Sequence, residues 1–353
     1  MPKQKDLTMQ HIINAEVLGI YQFPYWKHPV VKQCFPAFRV VFIESIDKLP
    51  VGAILVLWGM RPVPEGVTKD VQVWRMEDGF LRSVGLGADL IRPMSWIVDQ
   101  QGIYYDATRV SDLEQLLAQT QFDEALLARA ADLRARVVAT GLTKYNVGAG
   151  KWQRLANAAR VILVPGQVES DASLAFGAPG ERTNIGLLQA VRSAHPDAYV
   201  VYKPHPDVYA RLRAEGQNEQ SAYRWCDEVV TDVAMGDLLT MVDEVHVITS
   251  LAGFEALLRG KPVTCYGQPF YAGWGLTQDV MPIARRSRRL SLDELVAAVL
   301  ILYPLYLSRD GKHLITPEQA LNELSVWLAH TGGRVTIWRK FIRMFLRQII
   351  GVR

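Results

Sequence analysis

The chain is predicted to fold as an α/β protein whose two Rossmann-like halves face each other across a cleft. Three observations lead there. Short apolar or β-branched runs bounded by turn residues recur along the chain, the pattern of strands buried on both faces. Helical patterns fall between most of them, and that alternation builds parallel sheets covered by helices. The length, 353 residues, is too great for one ordinary core and suits two domains of roughly 150 residues each.

In the first half, strands are expected at Val17–Tyr21, Arg39–Ile43, Ala53–Trp58 and Val71–Met76. A short hairpin is expected next, Ile97–Asp99 and Gly102–Tyr105 closed by Gln100 and Gln101. Ser111 then caps a long helical stretch with apolar positions at Leu113, Leu116 and Leu117, continued through Leu126–Val138. The pattern changes near Lys151–Asn157. Beyond it, strands are expected at Arg160–Pro165, Ala198–Lys203, Glu228–Val230, Glu244–Ile248 and Pro262–Tyr266. Helices are expected at Asn184–Ala194, Met235–Val242, Ala252–Arg259 and Ser291–Leu302. The expected division is therefore 1–155, 156–305 and a helical end at 306–353.

Sheets of this kind bind ligands beyond the carboxyl ends of their strands, and four motifs fall there. Glu77-Asp78-Gly79, with Arg82 close behind, follows Val71–Met76. Paired carboxylates can supply or orient a general base, and they can equally form a plain acidic turn. Gly166-Gln167-Val168-Glu169-Ser170-Asp171 follows the strand that opens the second half. Asp171 or Glu169 can act there as nucleophile or base, or only cap the next segment. Lys203-Pro204-His205-Pro206 fixes one imidazole between two prolines beside a cation, which suits a phosphate or carboxylate. Thr249-Ser250, between a strand and a helix, makes an N-cap whose free N–H groups form an anion site. Glu255, on that helix, is placed to reach a ribose or to face solvent. The loop after the next strand holds Gln268, Tyr271, Gly273 and Trp274, costly to expose unless something flat and polar binds, so a nucleotide is expected there. No metal is implied, because the sequence has no His/Cys cluster, no P-loop and no aspartate pair in a metal-binding context. The set argues for a nucleotide-sugar enzyme without naming the sugar.

The net charge of +3 hides an asymmetry: six of the 39 basic residues lie at 334–353, leaving 33 basic against 36 acidic in the body. Such a body is no nucleic-acid surface. Within the basic end, Trp338, Phe341, Ile342, Phe345, Leu346 and Ile349 recur at helical spacing, with Arg339, Lys340, Arg343 and Arg347 on the other side. That is a basic amphipathic helix suited to an anionic membrane surface, or to packing back on the protein. Arg285, Arg286, Arg288 and Arg289 read as a solvated surface first and a site for an acidic glycan second. Apolar runs such as Ala53–Trp58 are far short of the ~20 residues of a membrane helix. The opening residues carry no signal-peptide core, so a cytoplasmic protein with its three cysteines reduced and buried is expected.

The order Glu77-Asp78-Gly79, His205-Pro206, Thr249-Ser250 resembles the motif set of bacterial sialyl- and Kdo-transferases that use CMP-activated sugars. Longer strings are more specific. EDGFLRSVGLGADL, GIYYDATRVSDLE, VPGQVESDAS, YKPHPDV and SLAGFEALLRGKPVTCYGQPFYAGWGLT resemble the capsule polysaccharide β-Kdo transferase family, KpsC, over roughly Trp58 to Ala320. The resemblance implies a GT-B-type fold, with an acceptor-side first half and a donor-side second half. It implies retaining transfer of Kdo from CMP-β-Kdo, without a further cofactor or metal, to a Kdo glycan on a phosphatidylglycerol-type lipid, at the inner face of the membrane. By motif position it implies Asp171 as the carboxylate that forms a glycosyl-enzyme adduct. Glu77 and Asp78 would be catalytic carboxylates on the opposite wall. Donor contacts would come from Lys203, His205, Pro206, Thr249, Ser250, Glu255 and Gln268, while Arg82 and Gln167 would meet the acceptor or the Kdo carboxylate. The family typically carries two such modules in tandem, and this chain has one. Two alternatives stay open: a transferase for another CMP-linked ulosonic acid of the sialic acid type, and a non-catalytic subunit of capsule assembly or export.

Overall fold

The computed structural model describes residues 16–85, 91–148 and 150–331. The first stretch runs β1 (Val17–Tyr21), α1 (His28–Cys34), β2 (Arg39–Ile43), β3 (Ile54–Trp58), β4 (Val73–Asp78), β5 (Ser95–Asp99), α2 (Asp112–Gln119) and α3 (Glu124–Ala139). The second begins with β6 (Val161–Pro165), α4 (Ala172–Gly177), α5 (Asn184–Ala194), β7 (Tyr199–Lys203) and α6 (Pro206–Tyr209). It continues with β8 (Glu228–Val229), α7 (Met235–Met241), β9 (Glu244–Val247), α8 (Leu251–Leu258), β10 (Val263–Cys265) and β11 (Gln278–Asp279). The chain then forms α9 (Leu292–Val296), β12 (Leu305–Leu307), β13 (Leu314–Ile315) and α10 (Pro317–Thr331).

The predicted class, α/β with two sheet-bearing halves, is the one observed. The second sheet, in the order β11-β10-β9-β6-β7-β8, is wholly parallel. Its central β6, VILVP, is buried at every position, as a strand covered on both faces must be. The first sheet, in the order β13-β12-β5-β4-β3-β1-β2, is parallel only across β2, β1, β3 and β4; β5, β12 and β13 run antiparallel. The stretch from 306, expected to be helical, therefore first returns to the first sheet as strands before α10 begins.

Three expectations are corrected. The hairpin at Ile97–Tyr105 does not form. Buried Asp99 accepts hydrogen bonds from the N–H groups of Gln101 (3.0 Å), Gly102 (2.7 Å) and Asp112 (3.0 Å) and from the Tyr303 hydroxyl (2.7 Å). Those bonds wrap the chain after β5 into a loop, and β5 pairs with β4 and β12 instead. β4 starts later than expected and runs through Glu77 and Asp78, because its pairing with β5 extends to Asp78 opposite Trp96. The long helical stretch after Ser111 is two helices: Thr120 is extended, and Asp123 caps α3 by accepting from Leu126 N–H at 2.7 Å.

One apolar core runs through both halves. Phe80 and Tyr104, on loops of the first half, meet Phe270 of the second with ring centroids 5.0 and 5.6 Å away. Of the arginine cluster expected at a solvated surface, Arg285 and Arg289 are exposed, while Arg285, Arg286 and Arg288 also form a clamp beside that core. Arg286, 6% exposed, donates to Glu114 on α2 (2.9 Å) and to the carbonyls of Pro269 (2.6 Å) and Ala272 (2.9 Å). Arg285 shares the Glu114 carboxylate, and Arg288 donates to the Thr120 carbonyl (2.8 Å) and Glu294 (3.0 Å). A buried carboxylate would be costly unpaired, and the guanidinium groups of Arg285 and Arg286 are what Glu114 meets. Cys34, Cys226 and Cys265 are buried, and none of them forms a disulfide among the described residues. No helix among the described residues is long and apolar enough to cross a membrane, and the basic segment 338–350 lies outside the described residues.

Candidate functional site

The carboxyl end of β4 in the first sheet faces those of β6 and β7 in the second. They are close enough that Arg82 feels Asp207 and that Tyr104 and Tyr105 feel Asp171; these ends are the two walls of the candidate cleft. On the first wall, β4 ends in Glu77 and Asp78. The Glu77 carboxylate accepts from Asp78 N–H (2.9 Å) and from the Tyr105 hydroxyl (3.3 Å). Burial, reinforced by Asp78, pushes its acid up from 4.5 to about 7. Asp78 Oδ2 pairs with Arg82 Nε at 2.6 Å, and its Oδ1 is buried with no hydrogen-bond partner among the described residues. Arg82, 3% exposed, also donates to Ser83 Oγ at 2.8 Å. Lys27, reached from the end of β1, lies over the Trp58 ring, and burial lowers its amine to about 8 against the pull of Asp78 and Glu77. Gly59 has a positive φ of 52°, and a Cβ there would sit 2.9 Å from the Glu77 carboxylate, so only glycine leaves that oxygen in place.

On the second wall, Asp171 is exposed and caps α4, accepting from Ser173 N–H at 2.8 Å. α4 packs under the first half, where Ala107 N–H donates to the Phe176 carbonyl at 3.2 Å. The Asp171 carboxylate is thus within electrostatic reach of Tyr104 and Tyr105 on one side and His205 on the other. His205 Nδ1 accepts from Asp207 N–H at 3.2 Å, which leaves the ring proton on Nε2. Burial, with Lys144 nearby, lowers the imidazole to about 4, so it is a neutral donor at neutral pH. Pro206 opens α6 directly behind it.

Lys144, on the segment joining the halves, was not singled out from the sequence. Burial opposes its charge, but Tyr145, Tyr104 and Asp78 raise its amine well above the ordinary lysine range. Ser250 caps α8, accepting from Ala252 N–H at 3.3 Å, and its carbonyl accepts from Tyr271. A Cβ at Gly253 would lie 2.3 Å from that tyrosine hydroxyl, which explains a glycine inside α8.

Other expected residues are engaged within the protein. Gln167 sits in the second half, donating to Thr249 Oγ1 (3.0 Å) and accepting from Thr249 N–H (2.9 Å). It ties the loops after β6 and β9 together rather than facing the first wall. Glu255 Oε1 accepts from Lys144 N–H at 2.7 Å, and burial raises its acid to about 7. Lys203 points to the Thr231 carbonyl (3.1 Å), and burial lowers it to about 8 despite Asp232. Gln268 donates to the Met281 carbonyl at 3.3 Å. Tyr271 and Trp274 are buried in the shared core, so the aromatic loop is covered by protein and offers no platform for a base. The only group of three metal-ligating side chains in mutual reach among the described residues, His195, Glu244 and His246, lies at the opposite end of the second sheet.

The sequence reading missed Lys27, Lys144 and Tyr105. Lys27 follows a strand end within an aromatic stretch, and Tyr105 lies in the quoted GIYYDATRVSDLE string, but neither carried a role.

The family model described as capsule polysaccharide biosynthesis protein matches residues 56–306. The chain is 43% identical over 307 residues to the capsule polysaccharide modification protein LipA of Neisseria meningitidis serogroup B, covering 84% of this chain and 43% of that protein. The chain therefore spans less than half the length of that relative. It is 42% identical over 298 residues to the lipopolysaccharide-processing protein LpsZ of Rhizobium meliloti, covering 80% and 68%. Among solved structures, the β-Kdo 2,7 transferase of Thermosulfurimonas dismutans KpsC superposes with a TM-score of 0.72 at 41% identity, covering 88% of this chain and 99% of that one. The β-Kdo 2,4 transferase of the same KpsC gives 0.76 at 31%, covering 90% and 99%.

Proposed function

The chain belongs to the capsule polysaccharide biosynthesis family, and from that premise we propose that it is a retaining glycosyltransferase moving Kdo from CMP-β-Kdo to a Kdo glycan. The observation that carries the reading is the place of Asp171, exposed at the gap between a neutral His205 and the Tyr105–Glu77 pair. The 41% identity to a β-Kdo 2,7 transferase supports the choice of sugar.

The chemistry follows from the donor. Kdo's anomeric carbon is a ketal centre, so loss of the CMP phosphate leaves an oxocarbenium-like carbon. Asp171 bonds to that carbon as the carbon–phosphate-oxygen bond breaks, and the electron pair leaves on the phosphate. His205 Nε2–H and the N–H groups at the start of α8 stabilise that departing charge. In the second step an acceptor hydroxyl displaces Asp171, giving its proton to Glu77, whose raised pKa suits a base near neutral pH. Two inversions retain the β configuration. Asp78 holds Arg82 in place on the same wall, where Lys27 and Arg82 present positive charge to the Kdo carboxylate.

A lipid-linked acceptor would give the segment 338–350 a use on an anionic leaflet; flotation with anionic vesicles, with and without 334–353, tests this, and equal partitioning ends it. The activity itself is tested by CMP release from CMP-Kdo with a Kdo-bearing acceptor. Turnover of CMP-sialic acid in its place would move the proposal to another ulosonic acid. An Asp171→Ala chain that still supports capsule production would favour a non-catalytic subunit.

A further inference from the structure

Glu244 and His246 alternate along β9 and so project from the same face, while Val245 and Val247 between and beyond them enter the shared core. His195, one residue past α5, closes over them, its ring centroid 5.0 Å from that of His246. One ligating atom from each of His195, Glu244 and His246 lies within 4.8 Å of the other two. Glu244 opens β9 beside Ile162, near the start of β6, so this cluster sits at the amino end of the sheet, away from the cleft.

One atom there lacks an explanation within the protein. His246 is 1% exposed, and its Nε2 is buried without a hydrogen-bond partner among the described residues. Glu244 Oε1 is buried 3.8 Å from that nitrogen. Arg160 holds the outer side of the cluster: its Nη2 is 2.7 Å from Oε1 and 2.9 Å from Oε2 of Glu244, and its Nη1 is 3.2 Å from His195 Nδ1, so an ion must displace this guanidinium. A buried imidazole nitrogen facing a carboxylate oxygen is costly unless something joins them.

We propose that His195, Glu244 and His246 bind a zinc ion that ties the end of α5 to β9. Two imidazoles and a carboxylate are a donor set zinc accepts, with water in the fourth position. Bonds of about 2.0 Å at tetrahedral angles place ligand atoms roughly 3.3 Å apart, about half an ångström less than the 3.8 Å between His246 Nε2 and Glu244 Oε1. The partly exposed His195 can close the remaining distance. Arg160, with half of its side chain exposed, can swing to solvent as the ion takes over the charge of Glu244. Burial keeps His246 neutral, which is the form that ligates.

The test is cobalt titration of the chelator-treated full chain, followed by zinc. The expected result is one saturable step with the visible absorption of four-coordinate cobalt, displaced by zinc, and a rise in unfolding temperature with zinc. His246→Ala and Glu244→Gln should lose the step. His195→Ala should lose it too, and this half-exposed position keeps the test valid if the buried variants misfold by circular dichroism. The proposal is overturned if the wild-type chain shows no saturable step. It is equally overturned if the step survives in His195→Ala, or appears only after Arg160→Ala removes the competing guanidinium.

Discussion

Replacing Glu114 by alanine should loosen the joint between the halves and destabilise the chain by about 3 kcal/mol. Glu114 is 6% exposed and is the shared partner of Arg285 and Arg286. Without it Arg286 keeps its bonds to Pro269 and Ala272, but its buried charge loses its paired carboxylate and keeps only the more distant pull of Asp279. Removing one partner of a buried pair costs ~3–5 kcal/mol. The retained carbonyl bonds, and Arg285 with a third of its side chain exposed and free to turn to water, argue for the lower end. For a chain of this size that is a fall of roughly 4 °C in Tm, or a clear drop in urea midpoint. Arg129→Ala, which breaks the more exposed pair with Glu318, is the control and should cost under ~1 kcal/mol. Urea unfolding of both variants decides it: a Glu114→Ala loss no larger than the control would refute the clamp.

The remaining predictions concern the cleft. Asp171→Ala should cut turnover ~1000-fold or more while CMP binding and the circular dichroism spectrum stay unchanged. His205→Ala should weaken CMP-Kdo binding roughly 10- to 100-fold by calorimetry, the loss of one hydrogen bond to a charged phosphate. The rate should rise with pH through about 7 as Glu77 ionises, and the residual rate of Glu77→Gln should lack that rise. Glu255, raised from 4.5 to about 7, favours the folded state as the acid, so its contribution is full below about 4.5 and lost as pH rises through 7. Glu255→Gln should flatten that part of the stability–pH curve, measured by urea midpoints.

The parallel strands were legible because each is a short β-branched run: β1, β2 and the bounds of α5 fall where the sequence places them. The strand-end pattern also points to Glu77, Asp171 and His205, which lie at the end of β4 and just beyond β6 and β7. What failed was non-local. β5 pairs with a strand that returns from 305, and no local pattern announces that partner. Arg285 meets Glu114 across 171 residues, so its charge read as solvated. Tyr271 and Trp274 signalled that something covers them, and the sequence could not say whether ligand or protein does. Gln167 belongs to the expected loop and Glu255 to the expected helix, but the direction of a side chain depends on neighbours such as Thr249 and Lys144.

The central claim is that Asp171 takes the sugar. Intact-protein mass measurement after incubation with CMP-Kdo, with no acceptor, tests it most directly. The wild-type chain should gain the mass of one Kdo residue, mapped by peptide digestion to Asp171, and Asp171→Ala should gain none. Release of CMP into product with no adduct on the wild-type chain, or an adduct that persists in Asp171→Ala, would contradict it.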